Sequence, residues 1–87
     1  MPKVLLSARA FNDFMYWAHN DRKILDKINA LLNDIERNGV MNGIGKPERL
    51  KHEEGYSRRI NDEHRMIYKM KGDVIAVKSC KGHYEDK

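Results

Sequence analysis

The feature that most narrows the folds open to this chain is a change of hydrophobic period near its middle. Before Gly39 the apolar residues recur every three or four positions, and after Pro47 they alternate or run together in short stretches. The first pattern belongs to helices and the second to strands. Between them lies 39–47, where Gly39, Gly43, Gly45 and Pro47 mark a loop.

The expected elements follow from this division. Lys3 to Leu6 is a short apolar run that reads as a strand. Ser7 is placed to cap the next helix, since its hydroxyl can accept an orphan backbone N–H. Phe11, Phe14, Met15 and Ala18 recur at i, i+3, i+4 and i+7 and form one apolar helical face. Asn20 and Asp21 read as a break and a second cap. Ile24, Ile28, Leu31, Leu32 and Ile35 continue at helical spacing, with Lys23, Asp26, Lys27 and Asp34 expected on the solvated face. Asn38-Gly39 fits a helix stop. Tyr56 to Asn61, Arg65 to Met70 and Val74 to Cys80 then read as strands, the last two joined by a hairpin turn at Lys71-Gly72-Asp73. The expectation is α+β in the order β-α-α-β-β-β: an antiparallel sheet with two helices packed on one face. The other face is left for polar chemistry.

Length and composition set the limits of function. Residues 1–87 suffice for a single domain with a thin core, too small for a full dinucleotide-binding fold. No apolar run approaches the roughly 18–20 residues of a membrane span, and the first residues are too short an apolar stretch for a secretory signal. The lone cysteine, Cys80, excludes an intrachain disulfide and a cysteine-rich zinc site. These points lead to the expectation of a reduced, cytoplasmic protein with no metal and no cofactor.

Charge is uneven. Residues 1–45 carry a net +1 and residues 46–84 a net +4. A basic half on a small domain fits a polyanion partner, because each neutralised phosphate releases condensed counterions.

Four clusters in that half carry reactive side chains. In Lys46-Pro47-Glu48-Arg49-Leu50-Lys51-His52 a carboxylate sits among cations that favour its ionised form. In Ser57-Arg58-Arg59-Ile60 the two arginines must point to opposite sides of a strand, so one faces the open side of the sheet. In Asp62-Glu63-His64-Arg65 a tight connection leads into the next strand, with His64 and Glu63 placed for a local ion pair. His83-Tyr84 follows the last strand. Each cluster alone also fits a solvated loop or a charged edge. Together they supply the parts of metal-free RNA cleavage: a carboxylate base, arginines for the phosphate and a histidine acid. The base takes the ribose 2′-hydroxyl proton, and the oxygen attacks the adjacent phosphorus. Tyr84 or Tyr56 is placed to stack on a base. Gly43-Ile44-Gly45-Lys46 is only a fragment of a phosphate loop, since proline follows the lysine. The histidines at 19, 52, 64 and 83 lack metal-ligand helical spacing, and Cys80 in its apolar strand reads as packed.

Phe14-Met15-Tyr16-Trp17, Lys27-Ile28-Asn29, Gly45-Lys46-Pro47-Glu48, Leu50-Lys51-His52, Ser57-Arg58-Arg59-Ile60, Asp62-Glu63-His64-Arg65-Met66-Ile67-Tyr68 and His83-Tyr84 occur in an order and spacing that resembles the YoeB/Txe toxins. These belong to the RelE superfamily of bacterial type II toxin–antitoxin systems. The resemblance runs from Val4 to Tyr84. It implies a RelE-like fold and a metal-independent endoribonuclease, an mRNA interferase that cuts A-site codons on the ribosome and stops translation. By the same resemblance, Glu48 is the general base, His83 the general acid and Arg65 the residue stabilising the scissile phosphate. Lys51 and Arg59 are further phosphate contacts, and Tyr84 orients the RNA. The implied partners are a YefM-like antitoxin, the ribosome and mRNA, operator DNA through the antitoxin complex, and a second copy in a homodimer.

The chain departs from the family pattern in places. The stretch 53–56 is short and lacks the usual tryptophan, 38–42 lacks a Pro-Phe pair, Arg49 stands where proline is common, and Glu85-Asp86-Lys87 extends past the usual His-Tyr end. The competing reading is a non-catalytic antitoxin-binding module acting in DNA-binding autorepression. A free RNA-binding domain is a third.

Overall fold

The computed structural model describes residues 2–82. The elements are β1 (Lys3–Leu6), α1 (Ala8–Asn20), α2 (Arg22–Asn38), β2 (Glu48–Arg49), β3 (Tyr56–Arg59), β4 (Arg65–Lys71) and β5 (Val74–Ser79). The expected junction residues act as read. The Ser7 N–H donates to the Val77 carbonyl at 3.1 Å, while its Oγ accepts the Ala10 N–H at 2.9 Å. One residue thus ends β1 on the sheet and caps α1. The Asp21 N–H closes α1 on the Trp17 carbonyl at 2.9 Å, and Asp21 Oδ1 caps α2 by accepting the Lys23 N–H at 3.1 Å. Gly39 ends α2, its N–H on the Ile35 carbonyl at 2.8 Å.

The core lies between the helices and one face of the sheet. From α2 it takes Ile28, Leu31, Leu32 and Ile35, as the spacing predicts, and from the strands Met66, Tyr68, Ile75 and Val77. Truncating such a residue to alanine costs about 2–5 kcal/mol. Helix α1 differs from the expectation. Its buried positions are Ala10, Asp13 and Trp17, with Phe14 packed at the margin, while Phe11 and Met15 are exposed. The face is rotated because a carboxylate occupies it. Asp13 Oδ2 accepts the buried Cys80 N–H at 3.0 Å, so an acidic residue is held where the apolar pattern passes it over.

The sheet order is β1-β5-β4-β3-β2. Strands β3 to β5 are antiparallel neighbours, as expected of the meander, and β2 pairs antiparallel with β3. Two features go beyond the expectation. Strand β1 joins the sheet parallel to β5, with Leu5 beside Ala76, which makes the sheet mixed. Strand β2 adds a fifth member only two residues long, too short to leave any periodic signal. Between β4 and β5 the register shifts, with Ile67 opposite Ser79 and Tyr68 opposite Val77. No helix among the described residues is long and apolar enough to cross a membrane.

Candidate functional site

The loop from α2 to β2 delivers Glu48 to the sheet, and it is folded around Arg58. This arginine is fully buried, and every N–H of its guanidinium fork has a partner. Nε donates to the Tyr68 hydroxyl at 2.9 Å. Nη1 donates to Asp34 Oδ2 at 2.5 Å and to the Ile44 carbonyl at 2.9 Å. Nη2 donates to the carbonyls of Gly39 at 2.8 Å and Asn42 at 2.7 Å. Tyr68 in turn donates to the Val40 carbonyl at 2.7 Å. Asp34, expected on the solvated face, is buried here and accepts the Ile44 N–H at 3.0 Å as well. Its hydrogen bond from Arg58 holds its carboxyl below the usual carboxylate range, against the opposing effect of burial. Burial pushes the Tyr68 hydroxyl up, partly offset by Arg58.

Glycine is required where this loop turns. A Cβ at Gly43 would lie 1.8 Å from Asp34 Oδ2, and one at Gly45 would lie 2.8 Å from Leu31 Cδ2 and 3.0 Å from the Arg59 carbonyl. The Gly45 carbonyl accepts the Arg59 N–H at 2.6 Å, tying the loop to β3. Lys46 then adopts φ 48°, the left-handed region that non-glycine residues rarely occupy, immediately before Pro47 and Glu48. No phosphate loop forms, since Lys46 leads into a strand.

Register places the reactive groups on the face opposite the helices. Glu48 pairs with Ser57, Ser57 with Ile67, and Arg59 with Arg65. Partners share a face, so Glu48, Ser57, Arg59 and Arg65 lie together. Arg65 Nη2 lies 3.6 Å from Glu48 Oε2. Arg65 Nε donates to Ser57 Oγ at 3.0 Å, and Nη2 reaches the Lys46 carbonyl at 3.4 Å. The Glu48 side chain is 69% exposed, whereas that of Arg65 is only 14% exposed. Arg59 is exposed and pairs loosely with Asp62 at 4.0 Å. Two arginines directly opposite repel each other. An anion on this face would relieve that repulsion, and the guanidinium forks suit phosphate. The same face carries a groove of about 620 Å³ floored by Leu5, Ile67 and Ala76 and flanked by Lys69, Glu54 and the ion pair of Lys78 with Glu53 at 2.8 Å.

The structure therefore brings together Glu48, Arg59 and Arg65 of the expected site. Lys51 lies exposed on the turn after β2. His83 and Tyr84 lie outside the described residues. Tyr56 is corrected: it pairs with Tyr68 on the helix-covered face, ring centroids 5.8 Å apart, and is not available on the face of Glu48. Its parity is opposite to that of Ser57, which decides the matter. His64 does approach Glu63, at 3.9 Å, but its stronger tie is elsewhere. Its Nδ1 accepts the Gly82 N–H at 2.8 Å, and its ring meets Trp17 edge-on at 4.7 Å. Cys80 is packed as expected, and burial pushes its thiol up to about 12. No cluster of three or more metal-ligating side chains occurs among the described residues. Residue type alone singles out neither Ser57 nor the buried Asp34–Arg58 pair. The available signal is the Ser-Arg-Arg string with strict strand parity.

Known proteins share this arrangement of elements. The chain matches, over residues 6–84, the family model described as the YoeB-like toxin of bacterial type II toxin–antitoxin systems. It is 39% identical over 84 residues to Toxin YoeB of Escherichia coli K12, covering 94% of this chain and 99% of that protein. It superposes on the YoeB dimer structure from Staphylococcus aureus with a TM-score of 0.90 at 48% identity, covering 95% of this chain and 98% of that one. The heterotetrameric YoeB–YefM toxin–antitoxin complex from the same organism gives a TM-score of 0.91 at 48% identity, covering 97% and 99%. With the family match spanning both helices, strands β2 to β5 and the Glu48–Arg65 cluster, the chain belongs to the YoeB-like toxins of bacterial type II toxin–antitoxin systems.

Proposed function

We propose that this toxin is a ribosome-dependent endoribonuclease that cuts mRNA at A-site codons and so inhibits translation in the cytoplasm. The observation that carries the reading is the 3.6 Å approach of Arg65 to Glu48 on the open face, with Arg59 in register beside Arg65. Glu48 takes the proton of the ribose 2′-hydroxyl. The freed oxygen attacks the adjacent phosphorus in line, and the bond to the 5′-oxygen breaks. Arg65, with Arg59 and Lys51, takes up the charge that develops on the phosphate oxygens. His83 gives its proton to the leaving 5′-oxygen. The products are a 2′,3′-cyclic phosphate and a free 5′-hydroxyl, and DNA is not cut because it has no 2′-hydroxyl. The chemistry runs on side chains alone, without a metal. Tyr84 stacks on a base and sets its orientation.

The exposure of Glu48 supports a site that is completed by its substrate. Among the described residues nothing walls in this carboxylate to align an RNA, and the ribosome supplies that alignment. A YefM-like antitoxin is the expected partner, as in the YoeB–YefM complex, and a homodimer is expected as in the YoeB dimer. The toxin–antitoxin pair binds operator DNA through the antitoxin.

In vitro translation tests the reading. Adding the toxin should stop synthesis and leave mRNA cut within the A-site codon, with a 5′-hydroxyl on the downstream fragment. Unabated synthesis and intact mRNA at toxin excess would overturn it in favour of a module that only binds antitoxin. Tight, salt-sensitive binding of naked RNA without cleavage would favour a free RNA-binding domain.

A further inference from the structure

We propose that Ser57 is a positioning residue for the reaction: its hydroxyl holds the Arg65 guanidinium by Nε and so determines which of its N–H groups meets the phosphate. The inference rests on the endoribonuclease reading above. Three observations converge on it. Ser57 is buried at the centre of the site, the register partner of Glu48 on one side and of Ile67 on the other. Its Oγ accepts the Arg65 Nε–H at 3.0 Å, and its carbonyl lies 3.5 Å from Nη2. Arg65 Nη2 is also the nitrogen nearest Glu48 and the Lys46 carbonyl.

The consequence is a division of labour within one guanidinium. The Nε edge is engaged inside the protein. Nη2 is shared between the Lys46 carbonyl and the Glu48 carboxylate. Among the described residues nothing accepts from Nη1, so Nη1 is the donor left for a phosphate oxygen on the open face. Without the Ser57 hydroxyl, Nε loses its acceptor and the guanidinium is held only by the longer Nη2 contacts to the Lys46 and Ser57 carbonyls and to Glu48. Arg65 would then keep its charge but lose the fixed spacing between base and phosphate. Such a displacement costs rate rather than binding. A hydroxyl is suited to this task because it adds no charge, so it orients Arg65 without competing with the phosphate.

The test uses the full chain and the variants Ser57→Ala, Ser57→Thr, Arg65→Lys and the Ser57→Ala/Arg65→Lys double, each checked by thermal melting. Nitrogen-15 NMR reads the exchange of the Arg65 Nε proton with solvent, and single-turnover cleavage on programmed ribosomes reads the rate. Ser57→Ala should speed Nε–H exchange by about 10-fold or more, because that proton loses its protected acceptor. It should slow cleavage by about 10- to 100-fold while ribosome affinity stays within about 2-fold. Ser57→Thr keeps the hydroxyl and should recover most of the rate. Lysine has no Nε–H to hold, so Ser57→Ala should add less than about 2-fold in the Arg65→Lys background. An unchanged Nε–H exchange in Ser57→Ala, or its full rate effect persisting in the Arg65→Lys background, would sink the proposal. If the unmutated toxin fails to cut mRNA, the functional reading fails, while the NMR arm still decides whether Ser57 holds Arg65.

Discussion

Arg58 and Arg65 lie on adjacent strands of one sheet and face opposite ways. Toward the helices, Arg58 is sealed from water with its donors divided among Asp34, Tyr68 and three loop carbonyls. Toward the open face, Arg65 is held at Nε by Ser57, and among the described residues nothing accepts from its Nη1. The first arrangement is closed and the second is incomplete. An arginine with every N–H satisfied can only support the fold, whereas one with a held edge and a spare nitrogen is ready to bind an anion. The closed arginine also serves the incomplete one, because the loop it gathers leads through Lys46 into Glu48.

This contrast can be broken by mutation, most severely at its closed end. Arg58→Ala should cost about 3–5 kcal/mol, because it leaves the Asp34 carboxylate buried without its cation. In a domain this small that lowers the melting temperature by more than about 12 °C, measurable by calorimetry. An Arg58→Met/Asp34→Leu double should not recover fully, since the carbonyls of Gly39, Asn42 and Ile44 still lose their donors. At the open end Glu48→Gln should leave the melting temperature nearly unchanged and slow ribosome-programmed cleavage by about 10²- to 10⁴-fold. If cleavage persists at full rate, Glu48 is not the base.

Acid should act on the closed face through Asp34. Its carboxyl is held below its ordinary value of 3.8 in the folded chain. Its contribution is therefore fully present above pH 3.8 and is lost as pH falls through the lower, folded value. Urea melts across that range should show stability falling with pH, with a shallower fall in Asp34→Asn. The smallest effect on stability belongs to Arg59, next to Arg58 in sequence but on the open face. Arg59→Ala should change stability by less than about 0.5 kcal/mol, as for other exposed substitutions. It should weaken RNA affinity and reduce the salt slope by about one charge. A stability loss like that of Arg58→Ala would collapse the distinction between the two faces.

Much of this is legible without coordinates. The α2 face, both caps, the β4–β5 hairpin and the opposite parity of Arg58 and Arg59 follow from spacing and side-chain type. Spacing misplaces the α1 face because Asp13, an acidic residue, occupies a core position that only its Cys80 partner explains. It places Asp34 in solvent for the same reason, the partner being 24 residues away on β3. Tyr56 reads by type as a stacking residue, although it shares parity with Arg58 and so opposes Arg59; what sequence lacks is the β2–β3 register that puts Glu48 with Ser57. That register is hidden because β2 has only two residues.

By itself, then, the sequence determined the order of every element but β2, the helical caps, the concentration of positive charge after residue 45 and the set of side chains from which a site could be built. These are local properties, governed by backbone preference, by the two hydrophobic periods and by residue type. Only the tertiary structure decided which arginine is buried and which is offered, that β1 closes the sheet in parallel, and that Ser57 stands between Glu48 and Arg65. Those outcomes depend on strand register and on hydrogen-bond partners distant in the chain. No local pattern encodes them, because a buried charge is tolerable only where the whole fold brings its partners to it.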